Sequence, residues 1–444
     1  MFKLLKKALQ VGEATVEYPF KPLEVAPGFR GKPVYNFQQC IACGACAIAC
    51  PANAITMDYN LEKGIKSWKI FYGRCIFCGR CEEVCPPGAI TLSPDFELAA
   101  TAKEDLCCQA DFQLIRCRSC GEFFAPPKEL EYILAALEQA GQPGSASHIT
   151  RQIMEVCPQC KRRQGIKTAV KSLPGRLANS RGGDKMITVK GDFNDNRDTK
   201  LAELKEKLKK VIKRSVNVYR VDCGGCNGCE IEIFASISPV YDPERLGIKV
   251  VASPRHADVL LFTGPMTRPM RLPALRAYQA TPDPKIVIAY GTCGCSGGIF
   301  HDAYSVWGGT DSIFPVDVYI PGCPPTPAAT LYGLGVALDL LQQTIKGEHH
   351  VEDEVSRVQP GHPDIHPDLR KDIEREARRL SGYLHGKQIA DKYLQFLEEG
   401  DLQAVDRKVK GFLKKEKDPR LVEVYLKLHR IFTARMERVT GNVG

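Results

Sequence analysis

The run CIACGACAIACP at Cys40 and its near copy CIFCGRCEEVCP at Cys75 restrict the fold more than any other stretch of the chain. Each spaces its cysteines as C-x2-C-x2-C-x3-C-P. Three thiolates of one run can then wrap a cubane [4Fe–4S] cluster while the fourth reaches the neighbouring cluster, and the proline ends the turn. On this reading Cys40, Cys43, Cys46 and Cys85 hold one cluster, and Cys75, Cys78, Cys81 and Cys50 hold the other. Structural zinc is the competing reading, and two full copies of the four-cysteine pattern argue against it. Gly44 and Gly79 are expected to allow close approach of the backbone to the sulfurs. Short apolar runs, AITM and AITL, follow the two copies. Repeats this small bury no core alone, so the two halves must pack on each other. Two cubanes side by side make an electron relay, not a catalyst.

The remaining cysteines extend the metal chemistry. There are 20 in 444 residues, clustered in C-x2-C spacings, with no secretory signal to justify a disulfide framework. A reducing, cytoplasmic setting is expected. The apolar run in MFKLLKKALQVG is too short for a signal peptide or a membrane span, and the run LYGLGVALDLL is broken by Asp339. The net charge of +9 is spread over helical segments, with no nucleic-acid fingerprint. Neither GxxxxGK[ST] nor GxGxxG occurs, so nucleotide cradles of the usual kinds are excluded.

Patterning divides the chain into six parts. Residues 1–30 combine an amphipathic helix, apolar at Phe2, Leu5 and Leu9 and basic at Lys3, Lys6 and Lys7, with a proline-containing arm. That helix suits docking on protein or on a membrane surface. Residues 31–100 form the two-cluster α+β ferredoxin-like domain. In 101–171, CRSC and CPQC flank the helical pattern KELEYILAALEQAG, and Cys117, Cys120, Cys157 and Cys160 make a tetrahedral four-sulfur site for zinc or a single iron. Cys107 and Cys108 are spare thiols. Residues 172–214 read as a linker with a charged helix. From 215 to 346, β-branched runs alternate with helical stretches, predicting an α/β domain with a mostly parallel, flavodoxin-like sheet covered on both faces. Residues 347–444 read as a helical, cysteine-free tail.

A third cluster site is expected in the α/β domain. The loop CGGCNGC lies between the strand SVNVYRV and the helix EIEIFASIS, and two other strands, KIVIAYG and VDVYIPG, run into TCGCSGG and CPP. In an open parallel sheet such carboxyl-end loops converge. CGGCNGC supplies at most three of four thiolates, so the rest come from Cys293 or Cys295 and from Cys323. Cys226 and Cys229 lie nearer the helix start, whose free N–H groups stabilise cluster sulfides, than does Cys223.

With these stretches in place, positions 1 to about 170 resemble the two-cluster ferredoxin-type subunit of formate hydrogenlyase. CGGCNGCEIEIF, SPRHADVLLFTGPMTR, GGIFHDAYSVWGGTD and PVDVYIPGCPPTPAATLYG resemble the small subunit of group 4 [NiFe] hydrogenases, related in turn to cluster-bearing subunits of complex I. The chain is thus similar to a natural fusion of two subunits. The resemblance implies that Cys226, Cys229, Cys293 and Cys323 hold the proximal [4Fe–4S] cluster. It also implies that the nickel–iron centre sits on a separate large subunit. Its further implications are an iron–sulfur or formate dehydrogenase-type donor subunit, membrane-arm subunits, and a peripheral place on the inner face of the cell membrane. Quinone-reducing relatives present two adjacent cysteines where this chain has Gly228 and Cys229, which disfavours that alternative. A soluble shuttle or assembly scaffold is the other alternative. Glu230 and Glu232 read first as solvated or capping carboxylates. The resemblance keeps Glu232 as a proton-route candidate, while His256 reads as a loop hydrogen-bonder.

Overall fold

The structure, a computed structural model, describes residues 12, 14–26, 29–139, 148–163, 215–352, 358, 365, 367–398 and 402–440. The amphipathic helix expected at the N-terminus and the charged helix expected in 172–214 lie outside the described residues. The proline-containing arm crosses to the other half of the chain. Val16 N–H donates to Val240 O at 2.8 Å, Thr15 Oγ1 to Pro239 O at 2.8 Å, and Tyr18 is buried in the α/β core.

The N-terminal α+β region is built around the cysteine repeat. Strand β1 (Pro33–Tyr35) leads to the first loop and the short helix α1 (Ala45–Ala49). β2 (Ile55–Asn60) and β3 (Ile65–Phe71) form a hairpin, after which the second loop runs into α2 (Arg80–Val84) and β4 (Ile90–Leu92), which pairs antiparallel with β1. The strand β5 (Cys107–Gln113) continues the hairpin sheet antiparallel to β3. Residues alternate in and out with a period of two: Lys66, Trp68 and Ile70 of β3 and Cys108, Ala110 and Phe112 of β5 are buried. A small hairpin of β6 (Ile115–Arg116) and β7 (Phe123–Ala125), then α3 (Pro127–Gln139) and α4 (His148–Met154), carry the other C-x2-C pairs.

The second half is a five-stranded parallel sheet. Its strands are β8 (Val216–Asp222), β9 (Ile248–Val250), β10 (Val259–Thr263), β11 (Ile286–Tyr290) and β12 (Val318–Ile320), in spatial order β12-β11-β10-β8-β9. Every residue of β10 and β11 is buried, as a sheet covered on both faces requires. Helices α5 (Gly228–Ser236) and α8 (Pro327–Ala337) pack on one face, through Ile233, Leu331 and Leu334. Helix α6 (Arg271–Ala280) covers the other through Ala274, Leu275 and Tyr278. The short α7 (Gly291–Ser296) follows β11 directly. The helical pattern TPAATLYGLGVALDLLQQ stops at Ala337 in α8, and Asp339 turns the chain with φ 56°.

The chain then returns to where it began. Strand β13 (Glu348–Val351) pairs in parallel with β5, so the N-terminal sheet runs β13-β5-β3-β2. Beyond it, α9 (Pro367–Ser381), α10 (Tyr383–Leu397), α11 (Leu402–Leu413) and α12 (Pro419–Thr440) surround a core of their own that includes Ile373, Tyr393 and Leu428. The two halves also join at their centres. Ala100 and Tyr319 exchange backbone hydrogen bonds at 2.9 and 2.8 Å, and Lys103 pairs with Asp311.

Candidate iron–sulfur and metal centres

The repeat in sequence is a repeat in backbone. Cys40 and Cys75 stand thirty-five positions apart, as do Cys50 and Cys85 (75 − 40 and 85 − 50). At the same offset Ala42 and Phe77 have φ of 53° and 54°, and Gly44 and Gly79 have 84° and 79°. N–H groups of Ala42 and Phe77 donate to the Sγ of Cys40 and Cys75 at 3.4 Å, and those of Ala54 and Ala89 to the Sγ of Cys50 and Cys85 at 3.2 Å. The role of Gly44 differs from the expected close approach. A Cβ there would meet only the Met57 side chain, 3.7 Å from Cγ and 4.0 Å from Cε, so the residue is glycine for its left-handed φ.

Electrostatic neighbours follow the first expected group at Cys40 and Cys46, while Cys81 stands between the two groups, with Cys75, Cys46 and Cys78 around it. Burial, and then the charges of Cys46, Cys85 and Cys43, push the Cys40 thiol up to about 12 against the pull of the Ala42 N–H. Burial pushes Cys75 up to about 12 as well, with Cys50, Cys78 and Cys323 around it. Burial disfavours thiolate, whereas a coordinating metal deprotonates a thiol outright, so these pockets suit sulfurs that share their charge with iron. An orphaned donor supports the same fit. The Tyr35 hydroxyl is buried with no protein partner and lies against Cys81, Tyr72, Cys75 and Cys46, where a cluster sulfide would accept from it. Trp68, packed 4.2 Å from the Tyr35 ring, directs a side-chain hydrogen bond to Cys46.

The third group is assembled by topology. Cys226 and Cys229 come from the loop after β8 and the first turn of α5, Cys293 from α7 after β11, and Cys323 from the loop after β12. Burial pushes Cys293 up to about 12, with Cys323 and Cys226 as its charged neighbours. Cys229 is likewise raised by burial, then by Glu230, Cys293, Cys323 and Cys226. Two glycines make room for the group. A Cβ on Gly291 (φ 76°) would stand 2.7 Å from Cys229 Sγ, and one on Gly264 (φ 77°) would stand 2.5 Å from the Gly225 nitrogen. Cys223 is fully buried away from the group, its Sγ directed at Val221 O at 3.9 Å. Cys295 is fully buried too and donates to Ala289 O at 3.5 Å.

This group adjoins the second and not the first. Cys323 has Cys226 and Cys78 as charged neighbours, Thr292 Oγ1 donates to Cys75 O at 2.9 Å, and Ser296 Oγ donates to Gly73 O at 2.9 Å. A cavity of about 540 Å³ reaches both Cys78 and Cys323. On its outer side Cys226 and Cys323 are exposed, and Ile231 and Phe234 of α5 are 66% and 68% exposed.

Glu230 corrects the expectation of a solvated or capping carboxylate. It is buried, and its Oε1 accepts from Thr263 Oγ1 at 2.6 Å and from Arg220 Nη1 at 2.9 Å. Glu232 is half-buried, and burial raises its pKa. His256 sits in a one-turn 3-10 segment after Ser253, and its N–H donates to Ser253 O at 3.2 Å.

Cys117, Cys120, Cys157 and Cys160 form a compact fourth group, their sulfurs all within 4.8 Å of one another. Cys120 Sγ and Cys157 Sγ are 3.8 Å apart. The edge of a tetrahedron with metal–sulfur bonds of about 2.3 Å is also about 3.8 Å. The N–H groups of Ser119 and Cys157 donate to Cys117 Sγ at 3.4 and 3.2 Å, and Arg118 pairs with Glu155 at 2.5 Å to pin the two knuckles together. Cys107 and Cys108 join no group. Cys108 is buried beside Glu348 and pushed up to about 12, by burial first.

Comparison with known proteins follows this division. Residues 39–89 match the 4Fe-4S dicluster domain, 226–337 the 20 Kd subunit of NADH ubiquinone oxidoreductase, and 366–429 the C-terminal domain of hydrogenase-4 component I. Formate hydrogenlyase subunit 7 of Escherichia coli (strain K12) is 59% identical over 236 residues, 53% of this chain and 90% of the relative. The chain belongs to the formate hydrogenlyase and group 4 hydrogenase family. Formate hydrogenlyase subunit 6 of the same organism is 48% identical over 164 residues, 37% of this chain and 90% of the relative. A probable membrane-bound hydrogenase subunit of Pyrococcus furiosus is 48% identical over 155 residues, 35% of this chain and 93% of the relative. The chain therefore unites in one polypeptide two subunits that the relatives keep apart, and it is an iron–sulfur electron-transfer subunit of a hydrogenase-type oxidoreductase complex. No helix among the described residues is long and apolar enough to cross a membrane.

Proposed function

We propose that this chain relays electrons through three [4Fe–4S] clusters to or from a nickel–iron centre carried by a separate large subunit. Cys40, Cys43, Cys46 and Cys85 hold the first cluster, Cys50, Cys75, Cys78 and Cys81 the second, and Cys226, Cys229, Cys293 and Cys323 the third. When bound, the clusters supply one-electron storage. The chain's own work is to hold them in sequence, keep water from the sulfurs and present one of them to a partner. The observation that carries this reading is the position of the third group. It is tied to the second through Thr292 and Ser296, and its outer side opens at Cys226 and Cys323 beside an exposed apolar rim. Such a rim marks a protein contact.

The α/β half, with strand order 2-1-3-4-5 in its own numbering, is flavodoxin-like, and the third group occupies the carboxyl edge beside its switch point. Cys117, Cys120, Cys157 and Cys160 hold zinc or a single iron as a brace for α3 and α4. The relatives' names support a complex at the membrane, so we place the chain as a peripheral subunit facing the cytoplasm, with a formate dehydrogenase-type or other iron–sulfur donor and membrane-arm partners. The test is co-purification. The chain should capture a nickel-binding large subunit and, expressed alone with its clusters, exchange electrons with dyes without evolving hydrogen. Robust hydrogen evolution by the isolated chain would refute the assignment.

A further inference from the structure

Directly behind the third cysteine group lies a buried carboxylate that the relay itself does not require. Glu230 follows Cys229 in the first turn of α5 and is 6% exposed. One oxygen, Oε1, gathers three elements: it accepts from Thr263 at the end of β10 and from Arg220 on β8, while its own backbone belongs to α5. β8 and β10 are neighbours in register, Thr263 opposite Asp222, so this single oxygen fixes the helix start against two adjoining strand ends. The other oxygen, Oε2, is buried and has no hydrogen-bond partner.

The charge is only partly compensated. Arg220 is the cation in contact, its side chain is 33% exposed, and it is shared with Asp222, 3.8 Å away. Two carboxylates therefore face one guanidinium that water also screens. The loop that carries Cys226 has no bulk to separate it from this charge, since a Cβ on Gly225 would stand 3.8 Å from Glu230 Oε1. A negative charge held in a poorly polarisable surrounding next to a cluster opposes the arrival of an electron there.

We propose that Glu230 is the positioning residue of the third cysteine group, fixing its loop against β8 and β10 and lowering the reduction potential of the cluster held there. The second group has a buried carboxylate of its own, Glu83, two positions after Cys81 and paired with Arg80 at 2.5 Å. Glu230 adjoins Cys229 of the third group, so its substitution acts on the cluster at the open end.

This inference rests on the three-cluster reading, and the experiment separates the two. Redox titration followed by electron paramagnetic resonance is carried out on the full chain, with Cys229→Ser assigning the third signal. If wild-type protein lacks that signal, or Cys229→Ser retains it, the cluster reading fails and the role of Glu230 fails with it. With the signal assigned, Glu230→Gln keeps both hydrogen-bond contacts of Oε1 and removes the charge. The reduced-to-oxidised ratio of the third cluster at fixed ambient potential should rise by about tenfold or more, equivalent to about 59 mV for a one-electron couple. Glu230→Asp should keep most of the wild-type value, and Arg220→Gln should shift the ratio the other way. The first two clusters should not move. A third cluster that titrates at the wild-type potential in Glu230→Gln with full iron content, or three clusters that shift together, would overturn the proposal. If Glu230→Gln fails to load, Arg220→Gln decides, and an unchanged third potential there overturns it.

Discussion

The first and third cysteine groups stand at opposite ends of the relay and are treated in opposite ways by the fold. The first is covered in part by the chain's own later segments, although Ile48 between Cys46 and Cys50 is 89% exposed. β13 adds to the sheet edge, Glu352 just beyond it makes a buried ion pair with Lys128 of α3, and Lys128 also donates to the carbonyls of Phe37 and Gln38, which lead into Cys40. Tyr132 of the same helix donates to Pro86 O at 3.0 Å and packs with Ile41, Cys43 and Val358, and Lys387 of α10 donates to Glu82 O at 2.8 Å. Among the described residues the third group has no such cover. Cys226 and Cys323 are exposed, and so are Ile231, Phe234 and Tyr304. The difference separates a face finished by intramolecular contacts from a face left open among the described residues, the one proposed above to meet another protein.

The largest expected effect breaks the covered end. Glu352→Ala leaves Lys128 charged and buried at 3% exposure, and losing one partner of such a pair costs about 3–5 kcal/mol. Chemical denaturation should show a loss of that order, and the first cluster should become the one bleached fastest by oxygen. Bleaching led by the third cluster in both proteins would break the comparison.

Next comes the open end. Gly291→Ala places a methyl 2.7 Å from Cys229 Sγ at a φ of 76°, where strain alone costs about 1–3 kcal/mol. Iron and sulfide analysis should show the third cluster lost and the first two kept. Phe234→Lys puts a charge on the apolar rim without touching a cysteine. It should cost about 2 kcal/mol or more of large-subunit affinity, read by co-purification, with all clusters retained. The smallest effect belongs to Tyr35→Phe. It removes a single hydroxyl between the first two groups, about 1 kcal/mol of hydrogen bonding, and should shift the potentials of those two clusters slightly while leaving the third untouched.

The same comparison explains what the sequence revealed. The first two groups are contiguous, so the spacing of their cysteines is itself the geometry, and the thirty-five-residue repeat carries its φ values with it. The third depends on three loops separated by whole crossovers. Strand-like runs ending in glycine and cysteine were enough to predict their convergence, and resemblance was needed to choose Cys293 over Cys295. Glu230 was misread because nothing local distinguishes a buried first-turn carboxylate from a solvated cap. Its partners Arg220 and Thr263 lie ten residues before it and thirty-three after it. β13 was hidden for a similar reason: EHHV alternates weakly, and only its pairing with β5, about 240 positions away, makes it a strand.

The central claim is that the third cluster hangs on Cys226, Cys229, Cys293 and Cys323, while Cys223 and Cys295 are packing residues. The most direct test is electron paramagnetic resonance of reduced, anaerobically purified Cys226→Ser and Cys223→Ser side by side, with iron counted in both. The account predicts that Cys226→Ser loses or converts the third signal alone and that Cys223→Ser keeps all three. Loss of the third signal in Cys223→Ser with its retention in Cys226→Ser would contradict it.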